Sequence, residues 1–217
     1  MDVTVVTANF KTPELIGDCV SSFHSFYPDV HHIVIDNGGC EESLEILEAI
    51  DFIELVRNAK NVGHGPALHQ GILLSTTRYV FTLDSDTKVE EGGFLEMMLK
   101  AFEADPKLFA IGWLRYVDGA GRVYRDRERG KRRGHPYVHP FASLIDKDKY
   151  FNLPPYQLLP APAFPLMLGV IEKGYHLQAF PIAKYIWHKI AGTRGYFPRT
   201  MNITVNSKKG TWESRRI

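Results

Sequence analysis

Short apolar runs alternate with amphipathic stretches through the first half of the chain. Val3 to Val6 suits a strand buried on both faces. Thr12-Pro13-Glu14 follows with an N-cap, a first-turn proline and a first-turn acid. Leu15, Ile16, Cys19, Val20 and Phe23 then recur at three-to-four-residue spacing, which predicts one buried helix face ending at Tyr27-Pro28. The same pattern predicts a strand at Ile33-Val34-Ile35, a helix marked by Leu44, Leu47 and Ile50, and a strand from Phe52 to Val56. A helix from Pro66 to Leu74 and a strand from Tyr79 to Leu83 complete the half. Alternation in this order predicts an α/β fold, a Rossmann-like and mostly parallel sheet with helices on both faces.

The later part is less regular. A helix is expected at about 93–104, a strand from Leu108 to Leu114, and a hairpin turn over Val117 to Arg122. Arg122 to Arg133 reads as a solvated basic loop. Leu153-Pro154-Pro155 through Pro160, Pro162 and Pro165 is too rich in proline for regular helix or central strand. No internal repeat is visible. With 217 residues, 44% hydrophobic and 24% charged, the chain fits one globular domain over 1–217. There is no leader-like start and no apolar run near the roughly 18 residues that span a bilayer, so a cytoplasmic protein is expected. Cys19 and Cys40 lack metal-ligand spacing and read as reduced thiols.

Charge changes this picture, because a net of +1 hides two unlike halves. Residues 1–105 hold 6 Lys/Arg against 18 Asp/Glu, which leaves 20 against 7 in the remainder. An acidic half concentrates a divalent cation, whereas a basic half attracts phosphates, an anionic acceptor or a membrane surface. Mutual attraction of the halves is the plainer explanation of the same asymmetry.

In open α/β sheets, ligands gather beyond the carboxyl ends of the strands. Those ends carry Thr7-Ala8-Asn9, Asp36-Asn37-Gly38-Gly39 and Asp84-Ser85-Asp86. Two carboxylates two residues apart offer oxygen ligands to Mg²⁺ or Mn²⁺. Such a pair is common by chance, and Asp146-Lys147-Asp148 is a second match that reads as a helix cap near 147–152. Context distinguishes the first pair, since it leaves an apolar strand about twenty residues after Asn61-Val62-Gly63-His64-Gly65.

The succession VTVVTANFKTPELIGDCVSSF, HHIVIDNGG, NVGHGPALHQGI and YVFTLDSDTKV resembles the nucleotide-binding half of family 2 glycosyltransferases, which have the A-type glycosyltransferase fold. The resemblance covers about residues 3–105 and makes that stretch the donor half, leaving about 106–217 for the acceptor. It implies nucleotide contacts at Thr7, Asn9 and Asp36, contacts to base, ribose and phosphates at Asn61, Gly63 and His64, and donor or metal contacts at Asp84, Ser85 and Asp86. The metal is Mn²⁺ or Mg²⁺, with Asp86 the usual direct ligand. Ile186-Trp187-His188 and Gly192-Thr193-Arg194-Gly195 look like the late histidine and small-residue loop of relatives, which adds His188 as a ligand and Arg194 as a diphosphate contact.

The implied activity is metal-dependent transfer from a nucleotide-diphosphate sugar, a UDP-sugar by preference, to a glycan, lipid-linked or other hydroxyl acceptor, with inversion favoured. The basic half is expected to meet an anionic acceptor or the membrane surface, and nucleic acid is disfavoured. One departure stands out. The family's Glu-Asp pair, whose Asp is the general base, should fall near 161–164, where this chain reads Ala-Pro-Ala-Phe. Asp146, Asp148, His139 and Glu172 are the substitutes to weigh. A haloacid-dehalogenase-type phosphatase also places Asp-x-Asp-x-Thr after an apolar strand, but that family opens with this strand. A non-catalytic sugar-nucleotide-binding protein is the other alternative.

Overall fold

The first half folds as β1 (Val3–Asn9), α1 (Pro13–Phe26), β2 (His31–Asp36), α2 (Glu41–Glu48), β3 (Ile53–Arg57), α3 (His64–Leu74) and β4 (Tyr79–Asp84). The structure is a computed structural model that describes residues 1–118, 134–159 and 161–189. A short β5 (Thr87–Val89), α4 (Phe94–Ala104) and β6 (Leu108–Val117) follow. Next come β7 (His135–Asp146), α5 (Lys147–Tyr150), α6 (Phe164–Glu172), β8 (His176–Ala179) and β9 (Ile186–His188). The basic loop, the hairpin turn beyond Asp118, Pro160 and Arg194 lie outside the described residues.

Seven strands form one sheet in the order β3-β2-β1-β4-β7-β6-β8, parallel except for β7, and β5 pairs with β9 alone. Alternation along the central strands covers both faces. Val6, Ile33 and Ile35 join α3 and α6 through Leu68, Ile72 and Leu166, whereas Val3, Val5 and Phe81 join α1 and α4 through Phe23, Phe94 and Met98. Each face thus buries its own apolar layer, which requires near-continuous apolar strands. No helix among the described residues is long and apolar enough to cross a membrane.

Two later elements, β7 and α6, were not anticipated from the sequence. Strand β7 carries Pro136 and Pro140, which argue against a central strand. Pro136 lies opposite Tyr116, while Pro140 falls where the register jumps from Gly112↔Ser143 to Leu114↔Val138. Pro140 therefore sits at a break in the ladder, and Pro136 lies where β7 pairs with β6 and no longer with β4. The proline-dense segment stays irregular up to Ala163, but its last proline opens α6, where a missing N–H costs nothing.

Candidate functional site

Because β1, β2 and β4 are parallel neighbours, their last residues Asn9, Asp36 and Asp84 emerge on one edge of the sheet. Side chains tie these ends together. Asn9 Nδ2 donates to Asp36 Oδ1 at 3.0 Å, and the Thr12 hydroxyl donates to Asn9 Oδ1 at 2.6 Å and is hydrogen-bonded with the Ser85 hydroxyl at 3.1 Å. Thr12 occupies the N-cap position of α1, yet its hydroxyl serves this network and makes no cap bond. Asp36 is thereby held, almost wholly buried, with one oxygen fixed.

Asn37 is a hub that the motif reading missed. Its Oδ1 accepts from the Val62 N–H at 3.1 Å and Asn58 Nδ2 at 3.2 Å, while its Nδ2 donates to Asn61 Oδ1 at 3.0 Å. Asn61 Oδ1 also accepts the Gly63 N–H at 2.7 Å. The loop before α3 is thus clamped to the end of β2. Gly63 has φ +99°, a conformation that favours glycine, whereas a Cβ there would meet only the movable end of the exposed Leu158 side chain.

Clamping places His64 over the acidic pair, its Nε2 3.3 Å from Asp84 Oδ1. That contact is not aligned as a hydrogen bond, and Asp84 Oδ1 is buried without a hydrogen-bond partner. From the far end of the chain, β9 pairs His188 with Thr87, and Lys189 N–H donates to Asp86 O at 2.9 Å. His188 Nε2 then lies 3.2 Å from Asp86 Oδ1 and 3.9 Å from Asp84 Oδ2. Asp84, Asp86 and His188 each offer a ligand atom within 4.8 Å of the others.

Electrostatics fit a cation at this point. Burial raises the Asp84 carboxyl above the usual range and Asp86 adds to it, while His64 and His188 pull the other way. Burial lowers the basicity of His188, but the Asp86 hydrogen bond and both carboxylate charges outweigh it and leave its pKa raised. Two carboxylates and an imidazole, with the Asp84 Oδ1 atom unpartnered, are a donor set that could hold a divalent metal ion. The Phe141 ring stacks on His188 at 4.6 Å and 10°, which fixes the imidazole plane.

Phe141 begins a row of rings that the sequence did not signal. Trp113 meets it edge-on at 5.1 Å and lies 6.1 Å from His139, and the Arg115 guanidinium sits 3.3 Å above the Trp113 ring. Arg115 is also near enough to His188 to act on its charge.

Other expected site residues lie elsewhere. Thr7 is fully buried and its Oγ1 bonds His32 Nε2 at 2.9 Å, so its side chain faces the core and not the ligand edge. Burial lowers the pKa of His32 to about 3, which keeps that partner neutral. Asp146 pairs in register with Tyr79, at the opposite end of β4 from Asp84, roughly 16 Å away at strand rise. It caps α5 through the Asp148 and Lys149 N–H groups and binds Lys149 Nζ at 2.6 Å and Arg78 at 3.1 Å. Asp148 shares that end. Glu172 closes α6 and is exposed, close to where His176 N–H donates to Lys107 O before β6 begins. Of the four substitutes for a base, only His139 is on the metal side. Its Nδ1 accepts the Phe141 N–H at 3.2 Å, so its proton is on Nε2 and that nitrogen donates.

The model of the family described as Glycosyl transferase family 2 matches residues 4–161. Poly-beta-1,6-N-acetyl-D-glucosamine synthase of Staphylococcus aureus (strain COL) is 32% identical over 114 residues, 50% of this chain and 27% of that protein. The chain thus matches about a quarter of the length of such relatives. Among solved structures, the mannosyltransferase PcManGT from Pyrobaculum calidifontis, in complex with GDP-Man and Mn²⁺, superposes with a TM-score of 0.64 at 14% identity. That match covers 83% of this chain and 55% of that one. S. aureus TarS 1-349 in complex with UDP gives 0.61 at 13% identity, covering 86% and 60%. At such identities the likeness is one of fold, the A-type glycosyltransferase fold.

Proposed function

The chain belongs to glycosyl transferase family 2, and from that premise we propose that it moves a sugar from a UDP-sugar to a glycan or lipid-linked acceptor. Asp84, Asp86 and His188 hold a divalent metal, Mn²⁺ or Mg²⁺, in this reading. The observation that carries it is the convergence of those three side chains, from two distant stretches of the chain, on the edge where Asp36 is held. The names of relatives support a nucleotide-sugar donor: one is a poly-N-acetylglucosamine synthase, and two fold neighbours hold GDP-Man with Mn²⁺ or UDP.

Each residue then has a task. Asp36, fixed by Asn9, receives a ring N–H of the nucleobase. Asn61 and Gly63, clamped by Asn37, lie along the ribose. His64 keeps Asp84 turned toward the site. A bound divalent cation supplies charge stabilisation to the departing diphosphate. The second half of the chain meets the acceptor, its basic residues favour an anionic one or a membrane surface, and displacement at the anomeric carbon is inverting.

A thermal-shift panel of UDP, GDP, ADP and their sugars, with Mn²⁺ or with EDTA, tests the reading. Stabilisation of about 2.7 kcal/mol is expected at a hundredfold excess of the right nucleotide over its dissociation constant, and only with metal. If no nucleotide diphosphate stabilises the protein in either condition, the reading fails.

A further inference from the structure

Resting on the transferase reading, we propose that Tyr156 binds the sugar of the donor, holding one sugar hydroxyl between its own phenol and Asp84 Oδ1. Tyr156 is 2% exposed, and its hydroxyl has no hydrogen-bond partner. The adjacent Tyr150 shows a paired phenol, which accepts the Tyr156 N–H at 3.0 Å and bonds His69 Nδ1 at 2.9 Å. An unpaired hydroxyl in a core costs stability, and a ligand that supplies the partner atom recovers it.

The fold aims this hydroxyl at the metal residues. Along β4, Val80 lies in the apolar layer of α3 and α6, whereas Phe81 and Leu83 lie in the opposite one, so Thr82 and Asp84 face the side that holds Tyr156. The Ser143 hydroxyl, bonded to Thr82 at 2.9 Å, is close enough to act on the Tyr156 phenol but is not aligned as its partner. Asp84 is one side-chain step beyond Thr82, about 7 Å at strand rise, and its charge also reaches Tyr156. Its Oδ2 faces His188, and its Oδ1 is a second buried atom without a partner. The segment that carries Tyr156 leans on the start of α3, where a Cβ at Gly65 would meet Gln157 O at 2.2 Å and Leu158 lies against Gly63. Tyr156 therefore stands between the loop given to the ribose and the residues given to the metal, where the sugar joined to the diphosphate must lie. Leu158, at the tip of the segment, is exposed and can swing aside as the sugar enters.

The two atoms select the chemistry of the ligand group. Burial pushes the Tyr156 pKa well above its ordinary value, so the phenol stays protonated and gives a hydrogen bond. A carboxylate that holds a metal is ionised and only accepts one. A sugar hydroxyl satisfies both at once, accepting from Tyr156 and donating to Asp84. A phosphate oxygen has no proton to give Asp84.

Calorimetric titration of the full chain, with Mn²⁺ and without acceptor, tests the assignment. UDP, GDP, UDP-glucose, UDP-N-acetylglucosamine and GDP-mannose are compared in the parent, Tyr156→Phe and Tyr150→Phe, and the tightest sugar nucleotide is then compared with its single-deoxy analogues. Tyr156→Phe should weaken that sugar nucleotide by about three- to tenfold, and its nucleoside diphosphate by less than about twofold. One deoxy analogue should bind the parent at least about tenfold more weakly, and should bind Tyr156→Phe no worse than it binds the parent, because phenol and sugar hydroxyl form one contact. Tyr156→Phe deletes an unpaired group and should melt no lower than the parent, whereas Tyr150→Phe should melt lower and leave the ratio of the two affinities unchanged. A Tyr156→Phe that fails to fold or melts well below the parent, that weakens sugar nucleotide and nucleoside diphosphate alike, or that weakens neither would overturn the proposal. So would a deoxy series in which no single analogue loses affinity. Loss of all metal-dependent nucleotide binding in the parent would instead sink the transferase reading, and this inference with it.

Discussion

Replacing Asp146 separates a structural carboxylate from a chemical one. Its side chain is fully buried and accepts from the Asp148 and Lys149 N–H groups, from Lys149 Nζ at 2.6 Å and from Arg78 at 3.1 Å. Loss of an N-cap costs about 1 kcal/mol. The Lys149 bond is charge-assisted and mostly shielded, so its loss adds about 1.5–3 kcal/mol, whereas half-exposed Arg78 adds little because water replaces its partner. Asp146→Ala should therefore lose about 3 kcal/mol in urea unfolding, and Asp146→Asn, which keeps a cap acceptor, about 1 kcal/mol less. Burial pushes the Asp146 carboxyl up, but the Lys149 and Arg78 bonds prevail and hold it below the ordinary value. Its contribution is thus complete above about pH 4 and is lost as pH falls through the lower folded pKa, so parent and Asp146→Asn should converge in acid. Metal-dependent nucleotide binding should survive in both variants at temperatures where they are folded. Unchanged stability together with collapsed turnover would refute this reasoning and return Asp146 to the candidate bases.

Phe141→Leu removes the ring that fixes His188, and should weaken Mn²⁺ affinity by about tenfold, the usual scale for an outer-shell support, as read by metal titration of UDP binding. Thr7→Val leaves His32 Nε2 without its partner in the core; unfolding should show a loss of about 1–3 kcal/mol with UDP affinity unchanged. Gly63→Ala strains the backbone at φ +99°, and should cost about 1–3 kcal/mol and weaken nucleotide binding through the displaced Asn61 loop, measured by melting and calorimetry.

The first half was legible because its strands are short apolar runs separated by amphipathic helices. Elements from Val3 to Ala104 fall within a few residues of expectation, with only the three-residue β5 missed. β7 was not legible, since its His-Pro pairs look like breaks and only the register jump beside Trp113 shows how a strand absorbs them. Asp86 and His188 were found through a motif and a resemblance, and their meeting depends on the β5–β9 pairing, which spacing cannot reveal. The inward turn of the Thr7 side chain was not legible, because a motif gives position along a strand without the face its side chain takes. Asn37, Trp113, Arg115 and Phe141 carry no motif; they matter through contacts between distant strands and loops.

The central claim is that Asp84, Asp86 and His188 hold the metal through which a nucleotide diphosphate binds. Calorimetric titration of UDP, and of GDP in parallel, into the parent and into Asp86→Ala, with Mn²⁺ and with EDTA, tests it most directly. Asp86 lies at a strand end outside the apolar layers, so the variant should unfold cooperatively. The parent should bind one nucleotide diphosphate with Mn²⁺ and lose that binding in EDTA, and Asp86→Ala should show no difference between the two conditions. A folded Asp86→Ala that keeps the parent's metal-dependent affinity would contradict the assignment.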